Sequence, residues 1–361
     1  MSMIPLSGPV MAALVPDIHA WKKGNSWKPG TRPGMTTSGA LPRAAWVVVV
    51  AGLMLGTQAK AADSVSVRLS FTPFAAHIPI YVAKDKGYYS QGGLDVSILP
   101  GRGSSFAAMT VGSGKEEFGV ADAAAVVTTR AQGVPIVALA NLQQDNGVAL
   151  FATESSGITA PSQLKERNVG VYTGSTTTIF LQAWLKKNGM TMDDIKPVTV
   201  RSGTDLPLVL SGKIDAEVTV YNNELVAWKI EHPELKLRQW TMASLGFDTP
   251  GYAIVTNEEL AKQKPQLVRA FTDATIKGIA FALANPAEAV GIITKAVPEL
   301  KPEIETAKWQ ATIPVTRSAV TEKSGLGALD KKKWETLNDL LSTYNVIPAK
   351  VNLDQLLKDG K

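Results

Sequence analysis

Side chains able to do chemistry are few in this 361-residue sequence, and their absences are as telling as their positions. There is no cysteine, and the three histidines are His19, His77 and His232. Thiolate nucleophiles, disulfides, Cys-ligated zinc and a lipid-bearing cysteine are thereby excluded. A catalytic site needs a nucleophile, a base and an orienting group, and no HExxH, GxSxG, Walker A or GxGxxG pattern stands where the strands would need it. What the chain offers instead is two loops rich in glycine and hydroxyls, Pro100-Gly101-Arg102-Gly103-Ser104-Ser105 and Gly174-Ser175-Thr176-Thr177-Thr178. Each lies where a strand runs into a helix, so free backbone N–H groups and hydroxyls there can hold a phosphate, a sulfonate or a ring carbonyl. Ser104, Ser105, Thr176 and Thr177 are candidate ligand-binding residues on this ground, although Ser104 or Ser105 can equally be a plain helix N-cap. No catalytic residue, metal site or cofactor is assigned.

The elements that must position these loops follow from periodicity. Val65 to Ser70 alternates as a strand does, so Phe71 to Ala76, with Phe74, leaves its carboxyl end, where ligands of open α/β sheets bind. Pro79 suits the first turn of a helix, Gly87 its stop, and Leu94 to Leu99 a second strand, which completes a βαβ arrangement. Glu117 to Asp122 is a third strand, and Asp122 either caps the following helix or faces a ligand. Val134 to Asn141 and Gly147 to Thr153 read as strands buried on both faces. Phe151-Ala152-Thr153 is expected to cross into a second domain, where a fresh series begins with Val169 to Tyr172, a helix after Gly174, and Val198 to Val200. Glu217 to Val220 then delivers Tyr221-Asn222-Asn223-Glu224, and Asp248-Thr249-Pro250-Gly251 leads back to a strand at Tyr252 to Thr256. Helices are predicted over Pro265 to Ala284, Pro286 to Val297, Pro302 to Gln310 and Lys331 to Tyr344. The fold class is α/β in two domains, residues 63–152 with 251–361 forming the first and residues 153–250 the second.

The run Tyr81-Val82-Ala83-Lys84-Asp85-Lys86-Gly87-Tyr88-Tyr89, followed by Gly93-Leu94-Asp95-Val96, resembles the opening of substrate-binding proteins of ABC importers for nitrate, sulfonates, taurine and thiamine pyrimidine precursors. The resemblance covers nearly all of residues 65–345, and His77, four residues before Tyr81, is similar to a feature of the pyrimidine-precursor branch. It implies a type II periplasmic binding fold, hinged at two crossings, with the ligand in the interdomain cleft. It also implies a monomer whose partners are a small-molecule ligand and the permease and ATPase subunits of an importer. By the same resemblance Asp122 contacts ligand, and Tyr221, Asn222 and Glu224 supply an aromatic, an amide and an acid near it. Phe74, Tyr172 and Tyr221 could then stack on a flat ring while Asp122 and Glu224 accept from its amino groups, which favours a small heteroaromatic. The alternative is an oxyanion such as a sulfonate, taurine or nitrate, with Arg102 and Arg201 as its cations. A periplasmic sensor subunit is a further alternative. Eukaryotic relatives of this branch make the thiamine pyrimidine from their own His and pyridoxal phosphate, using an iron site with a cysteine-rich motif. Zero cysteine removes that motif, so the expectation is a binding protein and not an enzyme.

Ala44 to Gly56 is an apolar run too short to span a bilayer and the right length for a signal-peptide core, with Arg43 before it and a small-x-small site at Ala59-Lys60-Ala61. Residues 35–62 are therefore expected to be a cleaved signal peptide, residues 1–34 an upstream extension, and the mature protein periplasmic with no lipid anchor. The formal net charge of +5 lies wholly in residues 1–62, where six basic side chains meet Asp17 alone. The neutral remainder gives no argument for nucleic acid or an anionic membrane surface.

Overall fold

The computed structural model describes residues 62–358 apart from Ser202. The expected upstream extension, signal peptide and cleavage site lie outside the described residues.

Ten strands among the described residues form two five-stranded sheets of matching plan. The first contains β1 (Asp63–Arg68), β2 (Leu94–Leu99), β3 (Phe118–Asp122), β4 (Ile136–Asn141) and β10 (Tyr252–Asn257), in the order β2-β1-β3-β10-β4. The second contains β5 (Val148–Thr153), β6 (Asn168–Val171), β7 (Lys196–Thr199), β8 (Ala216–Val220) and β9 (Leu237–Thr241), in the order β7-β6-β8-β5-β9. The first three positions of each sheet are parallel, as helical crossovers require. The fourth position is antiparallel to both neighbours in each sheet, and it is filled by the strand that has just arrived from the other sheet.

This plan corrects one expectation. β5, assigned from its sequence to the first domain, pairs with β8 and β9, so the chain crosses between Asn141 and Val148 and not at residues 151–153. All six of its residues are buried, and a strand buried on both faces carries no mark of which sheet it joins. The return crossing lies between Thr241 and Tyr252 and includes the predicted turn at residues 248–251.

The helices cover the sheets as their patterns dictate. Ile78–Asp85, with Pro79 in its first turn, ends before Gly87, whose φ of 69° an L side chain rarely adopts. Pro265–Ala284 packs along it, and Gly278 permits the approach, since a Cβ there would fall 2.2 Å from the Pro79 carbonyl. Phe271 stacks between Phe118 and Tyr89 at 3.8 and 5.0 Å. The Pro302–Thr316 helix runs beyond its predicted end, through Pro314, and touches elements of both lobes. Among the described residues no single helix is long and apolar enough to cross a membrane.

Candidate ligand-binding site

A cavity of about 510 Å³ lies between the carboxyl-end loops of the two sheets. Its first wall is the loop after β1. Ser70, Phe71 and Phe74 line it, anchored by the bonds that Gly101 and Gly103 N–H donate to the Phe71 and Ser70 carbonyls, each 2.9 Å. Ser104, Asp122 and Tyr252 continue this wall. The facing wall is Tyr172, Ser175, Thr176 and Thr177, then Asp205, Glu217, Thr219, Asn223, Glu224 and Trp228. Lys308 of the Pro302–Thr316 helix closes one side.

The walls meet at the loops singled out for their glycines. A Cβ on Gly103 would fall 2.9 Å from the Gly174 carbonyl, and Phe71 meets Tyr172 edge to face with centroids 5.7 Å apart. Gly103 rather than Ser104 or Ser105 precedes the helix Ser104–Gly112, so neither serine is its N-cap. Ser104 faces the cavity and Ser105 does not. Ser175 caps the helix Thr176–Lys187 by accepting from Thr177 N–H, while the buried Thr176 hydroxyl is left without a partner.

Seven sequence-predicted residues line the cavity: Phe74, Ser104, Asp122, Tyr172, Thr176, Thr177 and Glu224. Besides Ser105, three lie elsewhere. His77 sits behind the first wall, fully buried; its Nδ1 accepts from Phe74 N–H at 3.4 Å and its Nε2 lies 2.9 Å from Ser70 Oγ. That pattern places the ring proton on Nε2, and burial pushes the imidazole down to about 3, so His77 is neutral and braces the loop. Tyr221 packs with Leu225 and Trp228 in the second-lobe core. Asn222 turns away and donates to Thr312 Oγ1 at 3.1 Å. The reason is local: Tyr221–Leu225 forms a turn of π-helix, a wider winding that aims Asn223 and Glu224 into the cavity where Tyr221 and Asn222 were expected. Arg102 stacks on Phe106 at 4.0 Å and Arg201 is exposed, so neither proposed anion ligand lines the site.

Sequence reasoning passed over Phe71, Asp205, Glu217, Trp228, Tyr252 and Lys308. Glu217 had a readable signal, a lone carboxylate inside the apolar run Ala216-Glu217-Val218-Thr219-Val220. Lys308 had none, because its helix reaches the site only through tertiary packing.

The electrostatics are those of a crowded acidic pocket. Burial raises the Asp122 carboxyl to about 7 against the opposing bond from Ala124 N–H, and burial raises Glu224 to about 7 against Lys308 and Asn223. Glu217 is pushed well above the carboxylate range by burial first, then by Asp205 and Glu224. Glu217 Oε2 and Glu224 Oε2 are buried without a hydrogen-bond partner. Such atoms require a partner to offset their lost hydration, and here they face a cavity. Among the described residues lining it, Lys308 is the one cation, 2.8 Å from the buried Glu305.

Two α/β lobes joined by two crossings, with a polar and aromatic cavity between them, define the type II fold of the solute-binding proteins of ABC importers. The family described as NMT1/THI5 like matches residues 75–289, and the chain belongs to it. Over 299 residues it is 25% identical to the riboflavin-binding protein RibY of Chloroflexus aurantiacus, covering 81% of this chain and 84% of that one. It is 30% identical over 247 residues to the 4-amino-5-hydroxymethyl-2-methylpyrimidine phosphate synthase of Candida albicans, covering 65% and 71%. The structure of the alkanesulfonate-binding protein of Xanthomonas axonopodis pv. citri bound to MOPS shares the fold, with a TM-score of 0.64 at 16% identity, over 83% of this chain and 100% of that one.

Relatives named as synthases raise the question of the pyridoxal phosphate and iron expected of that branch. The residues here fit neither. The amine facing the cavity is held by Glu305, and no other described cation lines the cavity to meet a phosphate beside the acidic side chains of Asp122, Asp205, Glu217, Glu224 and Glu231. Among the described residues no group of three or more His, Cys, Asp or Glu is placed to hold a metal.

Proposed function

We propose that the protein is the periplasmic solute-binding component of an ABC importer, that it captures a small heteroaromatic compound bearing N–H donors, and that it binds rather than transforms it. The observation that carries this reading is the pair of buried, unpartnered carboxylate oxygens on Glu217 and Glu224, set in a cavity walled by Phe71, Phe74, Tyr172, Trp228 and Tyr252. Flat rings stack on aromatic side chains, and ring or exocyclic N–H groups supply the donors those oxygens lack. An oxyanion would find Ser104, Thr176 and the helix amino termini behind them, but the buried carboxyls of Asp122, Glu217 and Glu224 would have to stay protonated beside it. His77 has both ring nitrogens engaged behind the wall and does not line the cavity, so it is not presented to a bound compound.

In this reading residues 62–141 with 252–358 form one domain and residues 148–241 the other. The two crossings act as hinge, and the closed, ligand-bound form docks on the permease. Calorimetry with aminopyrimidines, riboflavin, taurine and alkanesulfonates tests it. A ring compound should bind, Phe71→Ala should weaken it about ten- to hundred-fold by analogy with base stacking, and Glu224→Gln should weaken it too. Tight sulfonate binding that survives both substitutions would overturn the reading.

A further inference from the structure

Glu217 has no structural reason to be an acid. It stands in β8, in the middle of the second sheet, 3% exposed, with Oε2 unpartnered and the side chain lining the cavity. The neighbouring strand makes room for it: Gly170 is its register partner on β6, and a Cβ there would fall 2.4 Å from that same oxygen. The fold thus keeps space for a buried carboxylate that no cation of the protein neutralises. The other charges facing the cavity do not answer it. Asp205 begins a helix on the same lobe, Glu224 follows β8, Asp122 comes from the first lobe, and Glu231 is taken by Lys301 at 2.7 Å. Lys308 is already matched by Glu305. Isolated buried carboxylates are strongly disfavoured, so Glu217 can ionise only where a positive charge reaches it, and since no described lining residue is left to supply one, a ligand would have to bring it.

We propose that the cleft takes its ligand as a cation, a heteroaromatic ring carrying positive charge, with Glu217 as counter-ion and Phe71, Tyr172 and Trp228 lining the same cavity as aromatic partners. This rests on the reading of the cleft as a ring-binding site and narrows it to charged rings. Cations also gain from aromatic faces, which neutral rings do to a lesser degree. Without ligand, Glu217 holds a proton, because burial and the adjacent Asp205 and Glu224 disfavour its charge. A permanent cation displaces that proton to solvent. Binding therefore releases a proton, and affinity rises with pH until the free carboxyl is ionised.

Calorimetry on the full chain tests this with 4-amino-2-methylpyrimidine, its ring-N-methylated cation, thiamine, riboflavin and taurine, from pH 6 to 8 in buffers of differing ionisation enthalpy. At pH 8, where the parent pyrimidine is neutral, its methylated cation should bind at least tenfold more tightly. At pH 6 binding of that cation should release a proton. Glu217→Gln should remove the preference and cut the proton release to what Asp122 and Glu224, which also titrate near 7 in this cavity, supply, while leaving the circular dichroism unchanged; the wild-type preference for charged over neutral rings is read without a variant. Neutral rings that bind as tightly as charged ones, with no proton release, would overturn the charge assignment and leave the ring-binding reading standing. Binding of taurine and of no ring would overturn that reading itself.

Discussion

Asp122 combines two roles that conflict. It accepts from Ala124 N–H at 2.9 Å as the cap of the Ala123–Ala131 helix, yet burial outweighs that bond and lifts its carboxyl to about 7. An unfolded Asp titrates near 3.9, so the native state binds the extra proton between those values and stability falls as pH rises through that window. Asp122→Asn keeps an oxygen for the cap and loses the titration. Ligand-free, the variant should exceed wild type by up to about 4 kcal/mol at pH 8, and the gap should shrink as pH falls and close below about pH 4, as read from urea midpoints. His77 has the opposite sign. Its folded value near 3 lies below the unfolded value, so its contribution is present above about 6.5 and is lost as pH falls toward 3.

At the scale of elements, the π-helical turn after β8 aims Glu224, and the first crossing holds the turn in place. Tyr221 N–H donates to the Gly147 carbonyl at 2.8 Å, and a Cβ on Gly147 would fall 2.5 Å from Asn222 Oδ1. Gly147→Ala should therefore cost about 1–3 kcal/mol of stability through overpacking. Asn222→Ala in the same chain should recover part of it, a coupling measurable by a double-mutant cycle. That turn also marks where the sequence stops being legible. The strands of the first βαβ arrangement and the helices opened by Pro79, Pro265, Pro286 and Pro302 are written in local periodicity and proline placement, and they stand where the pattern puts them. β9, Leu237-Arg238-Gln239-Trp240-Thr241, carries no alternation because it is a half-exposed edge, so the sequence does not announce it. Tyr221 and Asn222 were the natural choices after a strand, and only an i to i+5 winding moves the task to their neighbours. Phe71 was hidden differently: it adjoins a strand end in plain view, and its partner Tyr172 is about a hundred positions away, a distance that only the folded chain removes.

At the scale of the molecule, one lysine holds both crossings. Lys333, on the Lys331–Thr343 helix, pairs with Asp145 of the first crossing and, at 2.7 Å, with Asp248 of the second. Asn146 adds a bond to the Phe247 carbonyl at 2.8 Å. Partly exposed pairs contribute little to global stability, so Lys333→Met should change it by less than about 1 kcal/mol. Its effect should fall on the spread of conformations, with a larger radius of gyration by small-angle scattering without ligand and an unchanged one at saturation. The matching sheet plans have a further consequence, for the order in which the protein can be made. Residues 148–241 supply every strand of the second sheet in one unbroken stretch, whereas β3 and β4 of the first share no ladder until β10 arrives between them. As the chain emerges from its amino end, the later-starting lobe can be finished first, and the amino-terminal strands keep two open edges until residues 252–257 emerge. The part of the protein synthesised earliest is the last to become whole.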